Sequence, residues 1–343
     1  MDRGIVAALA AALLFGAGTP FAKVLLGHTD PWLLAALLYL GSGLGLWLVR
    51  RMRKAAAVRP SRSEWGWLAG ATLAGGVIGP VLLMYGLTSM SATGASLLLN
   101  AEGVLTALIA WFVFKENFDR RIALGMLAIV AGALVLSWPA EMSVRVERGA
   151  LAVLGACLAW AVDNNLTRKV SLTDASFIAM VKGLAAGSTN LLLAWSLGSA
   201  WPEVWTLSAA ALLGFFSYGA SLVLFVVALR HLGTARTGAY FSVAPFFGAL
   251  LAVLMLNDPV TGRLMAAGAL MAIGVWLHLT ERHAHSHTHA ADEHAHEHVH
   301  DAHHQHAHPE GMVVSEPHSH PHAHVVMTHS HGHFPDAHHR HSH

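Results

Sequence analysis

The sequence is poor in charged residues and in cysteine. Only 12% of its 343 residues are Asp, Glu, Lys or Arg, whereas soluble domains carry about 25%. The single cysteine, Cys157, lies in an apolar stretch and has no second cysteine with which to form an internal disulfide. The sequence also lacks a phosphate-binding glycine loop, a nucleophile elbow and a Cys-x-x-Cys pair. We therefore expect a protein that is not an enzyme, uses no ATP, requires no cofactor and has no nucleic-acid partner.

Long apolar runs fill most of the chain, and 55% of all residues are hydrophobic. A helix needs about 20 apolar residues to cross a bilayer. Only helices can cross as single segments, because each satisfies its own backbone hydrogen bonds in lipid. The sequence predicts an all-α integral membrane protein with ten transmembrane helices, at about residues 4–26, 32–49, 65–87, 91–114, 120–138, 149–170, 175–197, 206–229, 235–256 and 260–280.

The basic residues between these segments predict the orientation, because cytoplasmic loops carry an excess of Lys and Arg. The loops on the side opposite the termini contain only Arg145, Arg148 and Arg263. The loops on the same side as the termini contain Arg50, Arg51, Arg53, Lys54, Arg59, Arg62, Lys115, Arg120, Arg121, Arg168, Lys169, Arg230 and Arg236. This pattern predicts a multi-pass protein of the inner membrane with both termini in the cytoplasm.

An internal repeat divides the apolar region into residues 4–138 and 149–280. The stretch 15–23 (FGAGTPFAK) corresponds to 160–168 (WAVDNNLTR), and 92–95 (ATGA) to 235–239 (ARTGA). Each half has five predicted helices, an odd number, so the second half inserts upside down relative to the first. Inverted repeats with a binding site at their interface are a common transporter architecture.

The two halves resemble EamA domains, the repeat of the drug/metabolite transporter superfamily. The similar features are the small residues of helix 1, the glycines Gly75, Gly76 and Gly79 before Pro80, and the ends of the halves at 110–116 (AWFVFKE) and 243–251 (VAPFFGALL). The resemblance implies a ten-helix bundle with a central cavity and alternating access. The sequence departs from the family in helix 4, where Asn100-Ala101-Glu102 occupies the region that matches Pro245 of helix 9.

Glu102 is the leading candidate for a functional residue. It lies halfway along a predicted transmembrane helix, where a charged side chain costs about 2.5–3.5 kcal/mol on insertion scales. Ionisable residues in such positions usually face a bundle interior and mark a path for a substrate, ion or proton. We expect Glu102, with Asn100 beside it, to contact substrate or exchange protons; the alternative is a protonated packing residue.

A second polar cluster, Asp163 and Asn164, lies inside helix 6. Its counterpart in the first repeat is the Gly18-Thr19-Pro20 stretch, which we expect to break helix 1. We predict that Asp163, Asn164, Thr19 and Pro20 line the cavity from opposite halves; a polar helix end is the alternative for helix 6.

Two further groups could border the same cavity. Lys182, about two turns into helix 7, is close enough to the cytoplasmic face to snorkel; pairing with Asp163 or Glu102 is the alternative. Trp160, Tyr240 and Phe241 could form an aromatic wall beside Pro245, although aromatic residues in membrane helices more often serve packing.

The tail, residues 281–343, contains all but three of the 26 histidines. It has too few apolar residues to fold alone, and we predict a disordered, cytoplasmic segment. Its His-x-His pattern predicts binding of Zn, Ni, Co or Cu, because neutral imidazole is a good ligand for these metals. The alternatives are a low-complexity or pH-responsive tail. The first predicted metal ligands are His283, His285, His287, His289, His294, His296, His298 and His300.

These features predict a secondary transporter that exports a small organic metabolite by alternating access, with proton coupling as one option. Two alternatives stay open: a divalent-cation transporter fed by the tail, and a membrane-anchored metal buffer or sensor. The lipid bilayer, a small-molecule substrate and divalent metal ions are the expected partners, and a homodimer is left open.

Overall fold

The computed structural model describes residues 3–114, 120–137 and 148–280, together with four segments of the tail. The chain divides into two units, Met1–Glu281 and Arg282–His343. The first unit contains thirteen α-helices and two π-helices within its described residues. The α-helices are α1 (Arg3–Leu25), α2 (Pro31–Met52), α3 (Arg62–Ala71), α4 (Gly79–Ser89), α5 (Ala92–Leu98), α6 (Asn100–Phe112), α7 (Arg120–Ser137), α8 (Arg148–Arg168), α9 (Ala175–Ser196), α10 (Val204–Leu213), α11 (Ser221–Phe241), α12 (Ala244–Leu256) and α13 (Gly262–Leu279).

Short polar residues start several of these helices. Asp30 accepts a hydrogen bond from the Leu33 N–H at 3.0 Å at the start of α2, and Asp174 accepts from Phe177 N–H at 2.8 Å at the start of α9. Ser61 and Glu64 form a reciprocal capping box before α3. Such caps satisfy backbone donors that have no partner within the helix, and they place the helix ends at the predicted turns.

The two π-helices, Thr72–Ile78 and Gly214–Ala220, each continue an α-helix on both sides. They lie in the third and eighth predicted segments, so they occupy matching positions in the two repeats. A π-helical turn widens the helix locally and is frequent at functional sites.

The fourth helix of each repeat is also interrupted at a matching position. In the first repeat the helix stops at Leu99 and restarts at Asn100. In the second, α11 ends at Phe241 and α12 begins at Ala244 with Pro245 in its first turn. Proline is therefore not needed for the interruption in the first repeat.

Seven helices of the described residues are long and apolar enough to cross a membrane, and Ala123–Val135, Ala244–Leu256 and Gly262–Leu277 are shorter apolar helices. The described residues therefore confirm a helical bundle with seven helices of spanning length, and the number of ten transmembrane helices stays a prediction. The eighth and ninth predicted segments meet inside α11, where Gly233 has a left-handed φ of 73°. The predicted break at Gly18-Thr19-Pro20 is wrong, because α1 runs through Pro20 to Leu25. Pro20 has no N–H and cannot donate a helix hydrogen bond, but the helix continues on both sides of it.

Close backbone contacts hold the repeats together. A Cβ on Gly16 of α1 would lie 2.2 Å from the Ala244 carbonyl oxygen of α12. Small residues permit such approaches between membrane helices. Cys157 is fully buried in the largest apolar cluster, as expected for a small packing residue.

A polar network joins four elements at the predicted cytoplasmic end. Arg50 of α2 lies 2.5 Å from the Asp174 carboxylate, and Thr173 donates to Glu64 of α3 at 2.7 Å. Arg230 of α11 donates to the Thr173 carbonyl at 2.9 Å. Burial raises the pKa of Asp174, but donors from Ser176 and Phe177 and the charge of Arg50 together leave it below its ordinary value.

The described part of the tail consists of four short strands. β1 (Ala284–His289) pairs antiparallel with β4 (Met327–Gly332), and β2 (Asp292–His298) with β3 (His318–His324). The predicted disorder is not confirmed in these segments, whose alternating His-x-His pattern has the two-residue period of a strand.

Candidate functional site

A cavity lies between the two repeats. Its polar lining comes from Glu102 of α6, Asp163 and Asn164 of α8, Ser217 of the second π-helix and Ser221 of α11. Its aromatic lining consists of Phe15, Tyr39, Trp160, Tyr218, Phe225 and Phe241. Both repeats therefore contribute to one site, as the predicted architecture requires.

Glu102 lies in the first turn of α6 and is 8% exposed. The interruption at Leu99 produces this helix start, and a helix N-terminus favours negative charge. Asn164 of the other repeat donates from Nδ2 to Glu102 Oε1 at 2.8 Å and to Thr106 Oγ1 at 3.2 Å. Glu102 and Asn164 thus meet between the repeats, and a neutral amide holds the carboxylate.

Asp163 carries a second carboxylate, and this one is paired with a cation. Lys182 Nζ of α9 lies 2.5 Å from Asp163 Oδ1, and the Thr167 hydroxyl donates to the same oxygen at 2.8 Å. The Lys182 side chain is only 1% exposed. The snorkelling interpretation of Lys182 is therefore wrong, because the carboxylate of Asp163 gives the ammonium group a partner inside the bundle.

The first π-helix is held by side chains from three other helices. The Gly75 carbonyl accepts hydrogen bonds from Tyr39 at 2.7 Å and from Trp160 at 2.8 Å. Asn190 of α9 donates to the Gly76 carbonyl at 3.0 Å. These bonds fix Tyr39 and Trp160, two aromatic side chains of the cavity, relative to the backbone.

A second cavity shares Glu102, Asn164, Phe15, Phe225 and Phe241 with the first. It adds Thr106 and the start of α12, including Pro245. Glu102 therefore faces both cavities, and the predicted site residue Pro245 borders one of them.

Five predicted site residues line neither cavity, and one of them, Lys182, contacts the lining residue Asp163. Asn100 donates to the Leu97 carbonyl at 3.1 Å and contacts Met271 of α13. Thr19 and Pro20 are buried within α1, where neighbouring Gly18 packs against Ser217. Tyr240 packs against a small apolar cluster of α1 and α11. Of the predicted aromatic wall, Trp160 and Phe241 line the cavity but Tyr240 does not.

Sequence reasoning missed Phe15, Tyr39, Tyr218 and Phe225. Phe15 was within reach, because it is the repeat counterpart of Trp160, and the two rings pack edge to face at 5.6 Å. The other three lie in apolar stretches without any feature that separates them from packing residues.

No three His, Cys, Asp or Glu residues lie together as a metal site in the described part of the chain. Of the predicted tail ligands, His283 and His300 lie outside the described residues. The backbone, but not the side chains, is described for His285, His287, His289, His294, His296 and His298. Metal binding by the tail stays a prediction.

Comparison with known proteins identifies the bundle. The profile of the EamA-like transporter family matches residues 2–138 and 147–280, one match for each repeat. The chain belongs to the EamA-like transporter family. The resemblance seen in the sequence is thereby confirmed, and so is the assignment to a family of membrane transporters.

Relatives of this EamA chain have transporter or flippase names. An "uncharacterized transporter" of Methanothermobacter thermautotrophicus is 27% identical over 292 residues, which cover 80% of this chain and 85% of that protein. One from Archaeoglobus fulgidus is 26% identical over 285 residues, covering 80% and 97%. A Pseudomonas fluorescens protein named probable 4-amino-4-deoxy-L-arabinose-phosphoundecaprenol flippase subunit ArnE is 36% identical over 87 residues, or 25% of this chain and 74% of that protein.

A crystal structure shares the fold of the bundle. It superimposes with a TM-score of 0.67 at 20% sequence identity and covers 81% of this chain and 99% of its own. The family and the apolar helices together show a multi-pass membrane protein of a transporter family.

Proposed function

We propose that the protein is a secondary active transporter that exports a small organic solute across the inner membrane, with both termini in the cytoplasm. The observation that carries the proposal is the position of Glu102. Its carboxylate borders both cavities between the repeats and is held by Asn164 of the opposite repeat. A carboxylate inside the membrane is energetically costly, and such residues usually have a function.

Alternating access is the mechanism that this architecture supports best. Inverted repeats can exchange conformations, so that a central site opens to one side and then to the other. The matching π-helices and the matching interruptions before Asn100 and Ala244 give each repeat two places where helix geometry can change. The second π-helix contains Ser217 and Tyr218 of the first cavity, and the two interruptions place Leu99 and Ala244 at the second cavity. The first π-helix accepts hydrogen bonds from two lining residues of the first cavity, Tyr39 and Trp160.

Glu102 is the proposed coupling residue. Burial disfavours its anionic form, whereas the amide of Asn164 stabilises it. A change in water access can therefore shift the balance between the protonated and the ionised carboxyl group. Release and uptake of one proton per cycle would couple solute export to the proton gradient.

The His-rich tail keeps two alternatives in view, namely export of a divalent metal cation and metal buffering or sensing. Its repeated His-x-His pattern is the observation that favours metal binding. The bundle site itself has two carboxylates and no histidine among the residues lining the two cavities. We therefore assign organic solute to the bundle and metal binding to the tail.

The test uses purified protein in vesicles that enclose a pH-sensitive dye. Amines, amino acids and other small metabolites are added in turn, and solute-dependent proton movement is recorded. Wild type should respond to at least one solute, and Glu102→Gln should respond to none. Glu64→Gln is the matched control, because Glu64 lies in the capping box at the start of α3 and lines neither cavity. Full proton-linked transport by Glu102→Gln would contradict the coupling role.

A further inference from the structure

We propose that the cavity between the repeats selects an organic monocation with an aromatic or flat apolar body. This inference rests on the proposed transport function and adds the chemical class of the solute. It depends on two independent features of the cavity, namely its net charge and its aromatic lining.

The charge follows from the pairing of the side chains. Lys182 neutralises Asp163 at 2.5 Å, with Thr167 on the same oxygen. Glu102 accepts its side-chain hydrogen bond from a neutral donor, the amide of Asn164, at 2.8 Å. None of the residues that line the two cavities is Lys or Arg. The ionised cavity thus carries one uncompensated negative charge, which a single positive charge on the solute would balance.

The aromatic lining suits the same ligand. The six rings of the cavity form a connected set, with centroid separations of 5.3 Å for Phe15 and Phe241 and 5.2 Å for Tyr39 and Tyr218. Phe225 and Phe241 add a separation of 4.9 Å. The face of an aromatic ring attracts a cation, most strongly where water is excluded. Rings also stack on a flat apolar ligand.

The same features disfavour other solutes. An anion or the carboxylate of an amino acid would need a cationic partner, since burial of an unpaired charge is costly, and no Lys or Arg lines either cavity. Lys182 lies behind the lining residue Asp163, and its ammonium group is already bound to Asp163 and Thr167.

The experiment measures binding to the full-length protein in lipid nanodiscs. Three probes share a benzyl group and differ in charge: benzyltrimethylammonium, a fixed cation; phenylalanine, a zwitterion; and phenylacetate, an anion. We expect binding of the cation and much weaker binding of the other two. Glu102→Gln should lower the affinity for the cation about tenfold or more, because a hydrogen-bonded or paired charge is lost. Glu64→Gln should bind like wild type.

Two further variants test the two features separately. Asp163→Asn releases Lys182 from its partner, so affinity for the cation should fall and affinity for phenylalanine should rise. Phe241→Leu keeps an apolar side chain but removes one ring, and should lower affinity for the cation about threefold to tenfold. Protection of Cys157 from a thiol reagent reports whether each variant is folded, since Cys157 is buried in wild type.

The outcomes separate the solute class from the transport function. Glu102-dependent binding of phenylalanine or phenylacetate, with no binding of the cation, would overturn the monocation assignment and leave the transport function standing. Failure of folded wild type to bind any of the three probes would also overturn the assignment. Equal cation binding by wild type and Glu102→Gln would show that the carboxylate does not select the ligand.

Discussion

Replacement of Lys182 by Met should destabilise the bundle strongly. The Lys182 side chain is 1% exposed and that of Asp163 is 8% exposed, and the two form an ion pair at 2.5 Å. Methionine resembles lysine in length and fills the same space without the charge. The variant therefore leaves the Asp163 carboxylate in the protein interior with the Thr167 hydroxyl, but without its cation.

The magnitude follows from the burial of the pair. Removal of one partner of a buried ion pair costs about 3–5 kcal/mol, because the remaining charge is uncompensated. Removal of both charges in favour of apolar groups is often close to neutral. The double variant Lys182→Met, Asp163→Leu should therefore be more stable than Lys182→Met alone. In it, the Thr167 hydroxyl can turn to the carbonyl one turn earlier in α8.

The assay uses the single cysteine of the sequence. Cys157 is fully buried, and it reacts with a thiol-specific fluorophore only after the helices around it separate. Unfolding in mild detergent with increasing SDS, followed by Cys157 labelling, gives the relative stability of each variant. Arg50→Met is the matched control, because Arg50 and Asp174 form an ion pair at the same distance but with the Asp174 side chain 44% exposed. Exposed pairs contribute about 0–1 kcal/mol.

The expected order of stability places wild type and Arg50→Met close together, the double variant near them, and Lys182→Met clearly lowest. Equal stability of Lys182→Met and wild type would refute the reasoning. It would mean that Asp163 carries no charge in the folded bundle, so that Lys182 has nothing to neutralise.

Three further predictions concern other parts of the chain. Gly16→Ala should destabilise the bundle by about 1–3 kcal/mol, because the added Cβ would collide with the Ala244 carbonyl oxygen. Gly66→Ala is the control and should not destabilise it, because a Cβ at Gly66 has no atom within 4 Å. Cys157 labelling compares the stability of the two variants. The folded-state pKa of Asp174 lies below its unfolded value, so its stabilising contribution is present above about pH 4 and is lost as the pH falls through the folded pKa. Thermal unfolding followed by tryptophan fluorescence should therefore show a gap between wild type and Asp174→Asn that closes in acid, and a gap independent of pH would contradict this. Truncation after Glu281 should leave the bundle folded and lower Zn and Ni binding in titration calorimetry; unchanged metal binding would locate the sites elsewhere.

The helical segments and part of the site could be predicted from the sequence, because both follow from the energetic cost of placing polar groups in lipid. An apolar run of spanning length must become a helix in lipid, and a carboxylate inside such a run is costly enough to indicate function. Both rules depend only on composition and position along the chain. They identified Glu102, Asp163 and Asn164, which the structure brings to one cavity.

The remaining features depend on contacts between distant residues. The pairing of Lys182 with Asp163 depends on how α8 and α9 pack, whereas snorkelling could be judged from distance along one helix. The aromatic lining also depends on packing between distant residues. Tyr218, for example, differs from a packing residue only in the cavity that lies beside it. Neither the π-helices nor the interruption at Leu99 has a residue pattern that requires it.

The two carboxylates of the site have different partners despite their common location. Asp163 is tied to the ammonium group of Lys182 and the hydroxyl of Thr167, both from its own repeat. Glu102 has an amide from the opposite repeat as its partner, at 2.8 Å across the interface that alternating access must rearrange. Under the proposed alternating-access mechanism, movement of one repeat against the other would break or form this bond and so change the stability of the Glu102 anion. A proton or a cationic solute would compensate that change, so the proposal assigns the coupling role to Glu102 and not to Asp163.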